Sequence, residues 1–271
     1  MQVRKRKVEN KLNNLSGKEW IKFTKSWFIH RPPRREKEEV LHPAKFPETL
    51  VKEFILFFTK ENEYVLDPFA GTGSALVAAC QVNRNAIGIE VMEKYKEIAE
   101  KRVKNTIENT RAKVSCKVIL GDSRNLSKLV GERKFDYCIT SPPYWNQLKR
   151  NSLRQRERKE IGLDTKYGEK IEDIGNIDSY EDFLLEQKKV FCEVYKVMKE
   201  GGYLTIITNN VFYNGRLYPL AFDTLTTLSD IWTPKDEKIW CQDDKPLMPL
   251  GIYNAWVGNR HHEYCLIFRK E

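Results

Sequence analysis

Residues 138–145 read CITSPPYW. An apolar run ends at a hydroxyl, Ser141. Two prolines then bar its continuation as strand or helix, and two large rings, Tyr144 and Trp145, follow. Proline holds φ near one value, so the Pro142 carbonyl is aimed before anything binds. Together with the Ser141 oxygen it offers two fixed hydrogen-bond acceptors beside flat aromatic surfaces. A turn needs no rings, and a packing cluster needs no prolines. In isolation the stretch also fits a rigid corner with packing aromatics.

Three acids stand at comparable places. EYVLDPFAGTGS carries Asp67 followed by Gly71 and Gly73, NAIGIE ends on Glu90, and CKVILGD ends on Asp122. The glycines let the backbone turn tightly and approach a ligand closely. Glu90, seventeen residues after Gly73, stands where a carboxylate accepts hydrogen bonds from ribose hydroxyls, and Asp122 could accept from an adenine amino group. The loop lacks the GxGxxG of dinucleotide folds and the GxxxxGK[ST] of a P-loop. Each acid alone is equally well a helix cap. Together with Ser141, at the ends of successive strands, they outline a pocket for a nucleotide-like cofactor.

Such a pocket needs strands that end side by side. EYVL, NAIGIE, CKVILGD, FDYCIT, YLTIIT, KIW and HEYCLIF read as strands, with helices between most of them. After Pro47, the residues Leu50, Val51, Phe54, Ile55 and Phe58 recur on one helical face. ALVAAC is a helix of small residues, and MEKYKEIAEKRVKNTI is charged and amphipathic. SYEDFLLEQKKVFCEVYKVMKEGG is a helix capped by Ser179, with Gly201 as its stop. The alternation predicts an α/β fold with a parallel sheet covered on both faces, and ligands at the carboxyl ends of the strands. Residues 1–40, polar and basic, read as irregular structure or short helices. Residues 147–178 and 209–260 read as irregular insertions in a single domain spanning 1–271.

Composition limits the rest. The 271 residues carry 47 Lys and Arg against 38 Asp and Glu, a net charge of +9 that suits a polyanionic partner or merely a lysine-rich surface. Six cysteines are scattered without a CxxC pair, which reads as reduced core thiols, with no disulfide frame and no metal site. No apolar run reaches membrane-span length and no signal-peptide core follows the basic N-terminus, so a soluble, cytoplasmic protein is expected.

Taken together, DPFAGTGS, AIGIE, GD and TSPPYW resemble the S-adenosylmethionine-dependent DNA amino-methyltransferases, which methylate exocyclic amino groups of cytosine or adenine. HPAKFPETL, upstream, resembles the family segment that completes the methionine end of the cofactor pocket. The likeness runs from about His42 to Trp145 and weakens over YLTIIT and HEYCLIF. It implies a Rossmann-like fold with a mostly parallel seven-stranded sheet and an antiparallel last strand. By the same likeness Phe46, Asp67, Phe69, Gly71 and Gly73 line the methionine side of S-adenosyl-L-methionine, Glu90 holds the ribose and Asp122 the adenine. His42, before a proline, reads as structural.

Ser141, Pro142, Pro143 and Tyr144 are then the catalytic set. The lone pair of an aromatic amine is delocalised into its ring. Hydrogen bonds from both amino hydrogens to the Ser141 oxygen and the Pro142 carbonyl pull the nitrogen toward tetrahedral geometry and free that lone pair. Tyr144 would stack on a base flipped out of the duplex, and Trp145 extends that wall or packs. A Ser at the first motif position is associated in this family mainly with cytosine N4, and Asp or Asn with adenine N6. Cytosine N4 is therefore the expected target, with adenine N6 as the alternative. No Pro-Cys pair exists in the chain, which sets cytosine C5 chemistry aside. Double-stranded DNA is the expected partner, and the resemblance admits a companion restriction endonuclease. Lys149, Arg150, Arg154, Arg156 and Arg158, just after the corner, are the expected phosphate contacts, and the insertions 147–178 and 209–260 are the candidate regions for contacting DNA and recognising its sequence. Two other readings stay open: an RNA or protein N-methyltransferase, and a nucleic-acid-binding subunit without catalysis.

Overall fold

In the computed structural model, residues 9–31, 46–145 and 173–271 are described. A helix α1 (Gly17–Phe23) opens on a capping box in which Ser16 and Glu19 satisfy each other's backbone amides, and a short strand β1 (Trp27–Ile29) follows. Next come α2 (Glu48–Phe58), β2 (Tyr64–Asp67), α3 (Ser74–Gln81), β3 (Asn85–Glu90), α4 (Glu93–Thr110) and β4 (Cys116–Leu120). A 3-10 turn (Ser123–Asn125) leads into α5 (Leu126–Val130) and β5 (Phe135–Thr140). After a second 3-10 turn (Ile174–Asn176) the chain forms α6 (Tyr180–Val197), β6 (Met198–Thr208), the hairpin β7 (Val211–Tyr213) and β8 (Arg216–Tyr218), α7 (Leu220–Leu228), β9 (Thr233–Cys241) and β10 (His262–Arg269).

The main sheet has the order β1-β9-β10-β6-β5-β2-β3-β4. β10 runs antiparallel to β6 and β9, and the other pairings within this sheet are parallel. The expected architecture holds with one more strand than the seven anticipated. The extra strand comes from the N-terminal segment: Trp27, Phe28 and Ile29 pair with Ile239, Trp240 and Cys241 and cover the edge of β9. From β2 the chain winds outward through β3 and β4, then returns to β5 on the other side of β2. That reversal leaves a crevice at the carboxyl ends of β2 and its neighbours, where open α/β sheets bind ligands.

Both faces of the sheet are packed. On one side α2, α3 and α4 bury Leu50, Phe54, Phe58, Leu76, Ala79 and Ala99. In α3 every residue from Ser74 to Cys80 is buried, and its small side chains let it lie close between sheet and neighbours. On the other side α5, α6 and α7 bury Leu126, Val190, Phe191, Val194 and Leu228. Each such large apolar side chain contributes roughly 1.5–3 kcal/mol on burial. A third cluster of Tyr144, Trp145, Ile174, Tyr180, Phe183, Val211 and Leu220 sits over the end of β5.

Two local expectations change. Ser179 caps α6 as anticipated, its hydroxyl accepting from the Asp182 amide at 3.1 Å. The helix, however, ends at Val197, and Gly201 lies inside β6 with φ +76°, in an irregularity where Phe135 pairs with Met198 but Tyr137 pairs with Tyr203. Residues 209–260 are also more regular than anticipated. Asn214 and Gly215, both at positive φ, turn a two-residue hairpin, α7 packs on the sheet, and the strand expected at KIW extends over Thr233–Cys241.

Candidate active site

Strand β2 positions an acid and a loop. Asp67 ends β2 at 1% exposure; its Oδ1 accepts from Thr140 Oγ1 at 2.6 Å and from the Phe69 amide at 3.0 Å. Its Oδ2 is buried without a hydrogen-bond partner. Burial pushes the Asp67 carboxyl up to about 7, against the two hydrogen bonds that lower it. The loop that follows is pinned from three sides. The Ala70 amide donates to the Ile89 carbonyl at 2.9 Å, and the Gly71 amide donates to Glu90 Oε2 at 2.7 Å. Arg102 of α4 reaches the Thr72 carbonyl at 2.5 Å and Glu48 at 2.6 Å, while Ser74 Oγ donates to the same Glu48 oxygen. Gly73 has φ +82°, and a Cβ there would meet the Ala99 Cβ at 2.9 Å, so any larger residue would push α4 away.

Glu90, at the end of β3, is 7% exposed. Its Oε1 accepts from the Met92 amide at 2.9 Å. Burial pushes this carboxyl up to about 7 as well, with the Met92 and Gly71 amides pulling it down and the nearby Asp173 and Asp67 adding to the rise. Asp122, after β4, accepts from the Arg124 amide and forms a two-pronged ion pair with the Arg124 side chain, which also bonds Glu186 of α6 at 2.7 Å.

These elements form a cleft that is open in part to solvent, the kind of concave place where small molecules bind. Of the residues anticipated from the sequence, Phe46, Phe69, Gly71, Glu90, Asp122, Ser141 and Pro143 line it together. Asp67 lies beneath the loop, while Gly73 opens α3. Pro142 and Tyr144 are buried beside the cleft, off its lining. Ser141 Oγ donates to Tyr144 Oη at 3.3 Å, and Tyr144 Oη donates to Glu263 Oε2 at 3.0 Å. Trp145 stands apart. It is 4% exposed, packs on Tyr180, Tyr213 and Tyr218, and donates from Nε1 to the Asp178 carbonyl, so it is a packing ring in this state. His42, Lys149, Arg150, Arg154, Arg156 and Arg158 lie outside the described residues, as do residues 147–172 of the first insertion.

The cleft also contains residues that sequence reasoning passed over. Asp173 lines it at 5% exposure, capping the Gly175 amide at 2.9 Å, with burial raising its carboxyl. Ile174, Met92, Tyr95 and Ser123 also line it. The signal at Asp173 was an acid just before an Ile-Gly-Asn turn, a common capping pattern. Nothing local tied it to Glu90, 83 residues earlier; only the closure of the fold did. Three buried carboxyls, Asp67, Glu90 and Asp173, thus surround or underlie one space. Such a set of acceptors suits a ligand that brings positive charge and hydroxyl groups. Among the described residues no cluster of His, Cys, Asp and Glu could hold a metal ion, and no helix is long and apolar enough to cross a membrane.

Comparison with known proteins bears on the family and the fold. The family model N6_N4_Mtase, described as DNA methylase, matches residues 1–101 and 135–271. The orphan methyltransferase M.BamHII of Bacillus amyloliquefaciens is 36% identical over 104 residues, 37% of this chain and 39% of that protein. The type II methyltransferase M2.DpnII of Streptococcus pneumoniae is 44% identical over 68 residues, 25% of each chain. The matches therefore span well under half the length of these relatives. Among solved structures, TrmN from Thermus thermophilus superposes with a TM-score of 0.55 at 11% identity, covering 87% of this chain and 52% of that one, a likeness of fold. With the family model covering most of its length, this chain belongs to the N6/N4 DNA methylase family.

Proposed function

We propose that this protein transfers a methyl group from S-adenosyl-L-methionine to the N4 amino group of cytosine in double-stranded DNA. The observation that carries the reading is the opening of Ser141 into the same cleft that Glu90, Asp122 and Asp173 line. One hydroxyl acceptor is thereby placed in an acidic cleft at the strand ends.

The residues present fit the donor. The unpartnered Asp67 Oδ2 and the Asp173 carboxyl suit a cationic molecule. The two Glu90 oxygens keep lone pairs for ribose hydroxyls beyond the two amides that they already hold. Phe69, Ile89 and Met92 give apolar walls for a purine. When bound, S-adenosylmethionine supplies an electrophilic methyl group. The protein's own task is to hold the amine in line with it. Ser141 Oγ and the Pro142 carbonyl accept the two amino hydrogens and localise the nitrogen lone pair. The prolines remove the need for the carbonyl to reorganise during reaction. Stacking of a flipped base on Tyr144 requires its ring, now 6% exposed, to be uncovered as DNA binds.

DNA approaches from the side on which β5, β9 and β10 present this corner. The loop between β9 and β10 leaves from the same end and carries Tyr253 and Trp256 fully open to solvent. It is a built loop: Met248 and Asn259 hydrogen-bond each other twice, and a Cβ on Gly251 would strike the Ala255 carbonyl at 2.2 Å. We assign this loop, with the basic segment Lys149 to Arg158, to contact with the duplex. Digestion of DNA treated with protein and S-adenosylmethionine, followed by mass measurement of the nucleosides, tests the reading. N4-methylcytosine supports it. N6-methyladenine keeps the mechanism and moves the target, and methylation of RNA alone overturns it.

A further inference from the structure

The catalytic corner is tied to a residue more than a hundred positions away. Glu263 of β10 sits opposite Trp240 of β9, and its two carboxylate oxygens are both engaged as acceptors. Oε1 accepts from Gln242 Nε2 at 3.1 Å, and Oε2 accepts from Tyr144 Oη at 3.0 Å. Gln242 is itself held, 5% exposed, with its amide donating to the His261 carbonyl at 2.7 Å.

We propose that Glu263 is a positioning residue that makes Ser141 a hydrogen-bond acceptor. A hydroxyl has one proton and two lone pairs, whereas an ionised carboxylate only accepts. Glu263 therefore commits the Tyr144 proton to itself. Tyr144 Oη is left with lone pairs toward Ser141 and takes the Ser141 proton, at 3.3 Å. With its single proton committed inward, Ser141 Oγ turns lone pairs to the cleft, the orientation that an incoming amine requires. Without the carboxylate, the Tyr144 proton loses this acceptor and can turn onto Ser141 Oγ, and the serine proton then points at the substrate. The inference rests on the reading of Ser141 as the acceptor of an amino hydrogen, and it adds the source of that polarity. It also gives Tyr144 a task that its ring alone does not perform.

Gln242 Oε1 is buried without a hydrogen-bond partner. This predicts an informative contrast between variants. In Glu263→Gln the new amide oxygen can still accept from Tyr144, while its NH2 meets Gln242 turned to present Oε1. Glu263→Ala removes this acceptor. The experiment measures single-turnover methyl transfer to duplex DNA, and the dissociation constant for S-adenosylhomocysteine, in wild type, Tyr144→Phe, Glu263→Ala, Glu263→Gln and the Tyr144→Phe/Glu263→Ala double variant.

Tyr144→Phe and Glu263→Ala are each expected to slow transfer by about tenfold or more, with S-adenosylhomocysteine affinity within about twofold of wild type. The double variant is expected to be no more than about twofold slower than either single one, because both remove the same link. Glu263→Gln should stay within about threefold of wild type. Losses that multiply in the double variant, or that appear as weaker cofactor binding, would show a merely structural role and overturn the proposal. Should Glu263→Ala not fold, Tyr144→Phe decides alone, since it keeps the ring and deletes only the hydroxyl. An active wild type with an equally active Tyr144→Phe overturns the relay and leaves the methyl-transfer reading standing. A wild type inactive on all DNA offered removes both.

Discussion

The Glu90 carboxylate accepts the Gly71 amide proton at 2.7 Å, so the end of β3 closes the loop that leaves the neighbouring β2. One side chain thereby shapes the cleft that it lines. Glu90→Ala is expected to weaken S-adenosylmethionine binding by at least tenfold, about 1.4 kcal/mol, and to leave DNA affinity within about twofold. Calorimetric titration of each ligand checks this. Weaker DNA binding with unchanged cofactor binding would place the pocket elsewhere.

Asp67 and Glu90 are each pushed by burial to about 7, from ordinary values of 3.8 and 4.5. Between about pH 4 and 7 the folded chain therefore holds more protons on them than the unfolded chain does. Their contribution to the stability of the ligand-free protein falls as pH rises through that window and has reached its minimum above 7. A cationic ligand binds their ionised forms, so affinity should rise with pH through 7 and level off above it. Scanning calorimetry should show a larger upward shift in Tm on adding the cationic S-adenosylmethionine at pH 8 than at pH 5.5.

Arg102 and Glu48, 11% and 13% exposed, form an ion pair at 2.6 Å that also holds Ser74 and the Thr72 carbonyl. Although burial raises the Glu48 carboxyl, the hydrogen bond and charge of Arg102 and the Ser74 hydroxyl hold it below its ordinary value. Arg102→Ala leaves that carboxylate buried and unpaired. A stability loss of about 3 kcal/mol is expected, measured by urea unfolding, with looser cofactor binding because the glycine loop loses its anchor.

Trp256, fully exposed, makes no contribution to the core. Trp256→Ala should change stability by less than about 0.5 kcal/mol and leave cofactor affinity intact, yet lower DNA affinity several-fold in an electrophoretic or anisotropy assay. Unchanged DNA binding would remove the β9–β10 loop from the duplex interface.

The parts of the fold set by local rules were legible. Ser179 announced its cap, Gly71 and Gly73 their loop, and the alternation of strands and helices its parallel sheet, which put Glu90, Asp122 and Ser141 on one cleft. Asn214-Gly215 carried a hairpin signal that the aromatic-rich surroundings obscured. What was not legible depends on pairing between distant segments. Trp27–Ile29 became a strand because β9 offered an edge to cover. Trp145 became a packing ring because Tyr180 and Tyr218 meet it there. Asp173 and Glu263 reach the site from the far half of the chain, and neither belongs to a motif.

The central claim is that Ser141 serves the reacting amine from within a cleft built for the methyl donor. Comparing Ser141→Ala with wild type, by single-turnover methyl transfer to duplex DNA and by titration with S-adenosylhomocysteine, tests it most directly. Transfer is expected to fall on the order of 100-fold, with the dissociation constant unchanged within about twofold. Full transfer by the variant, or loss confined to cofactor binding, would contradict the account.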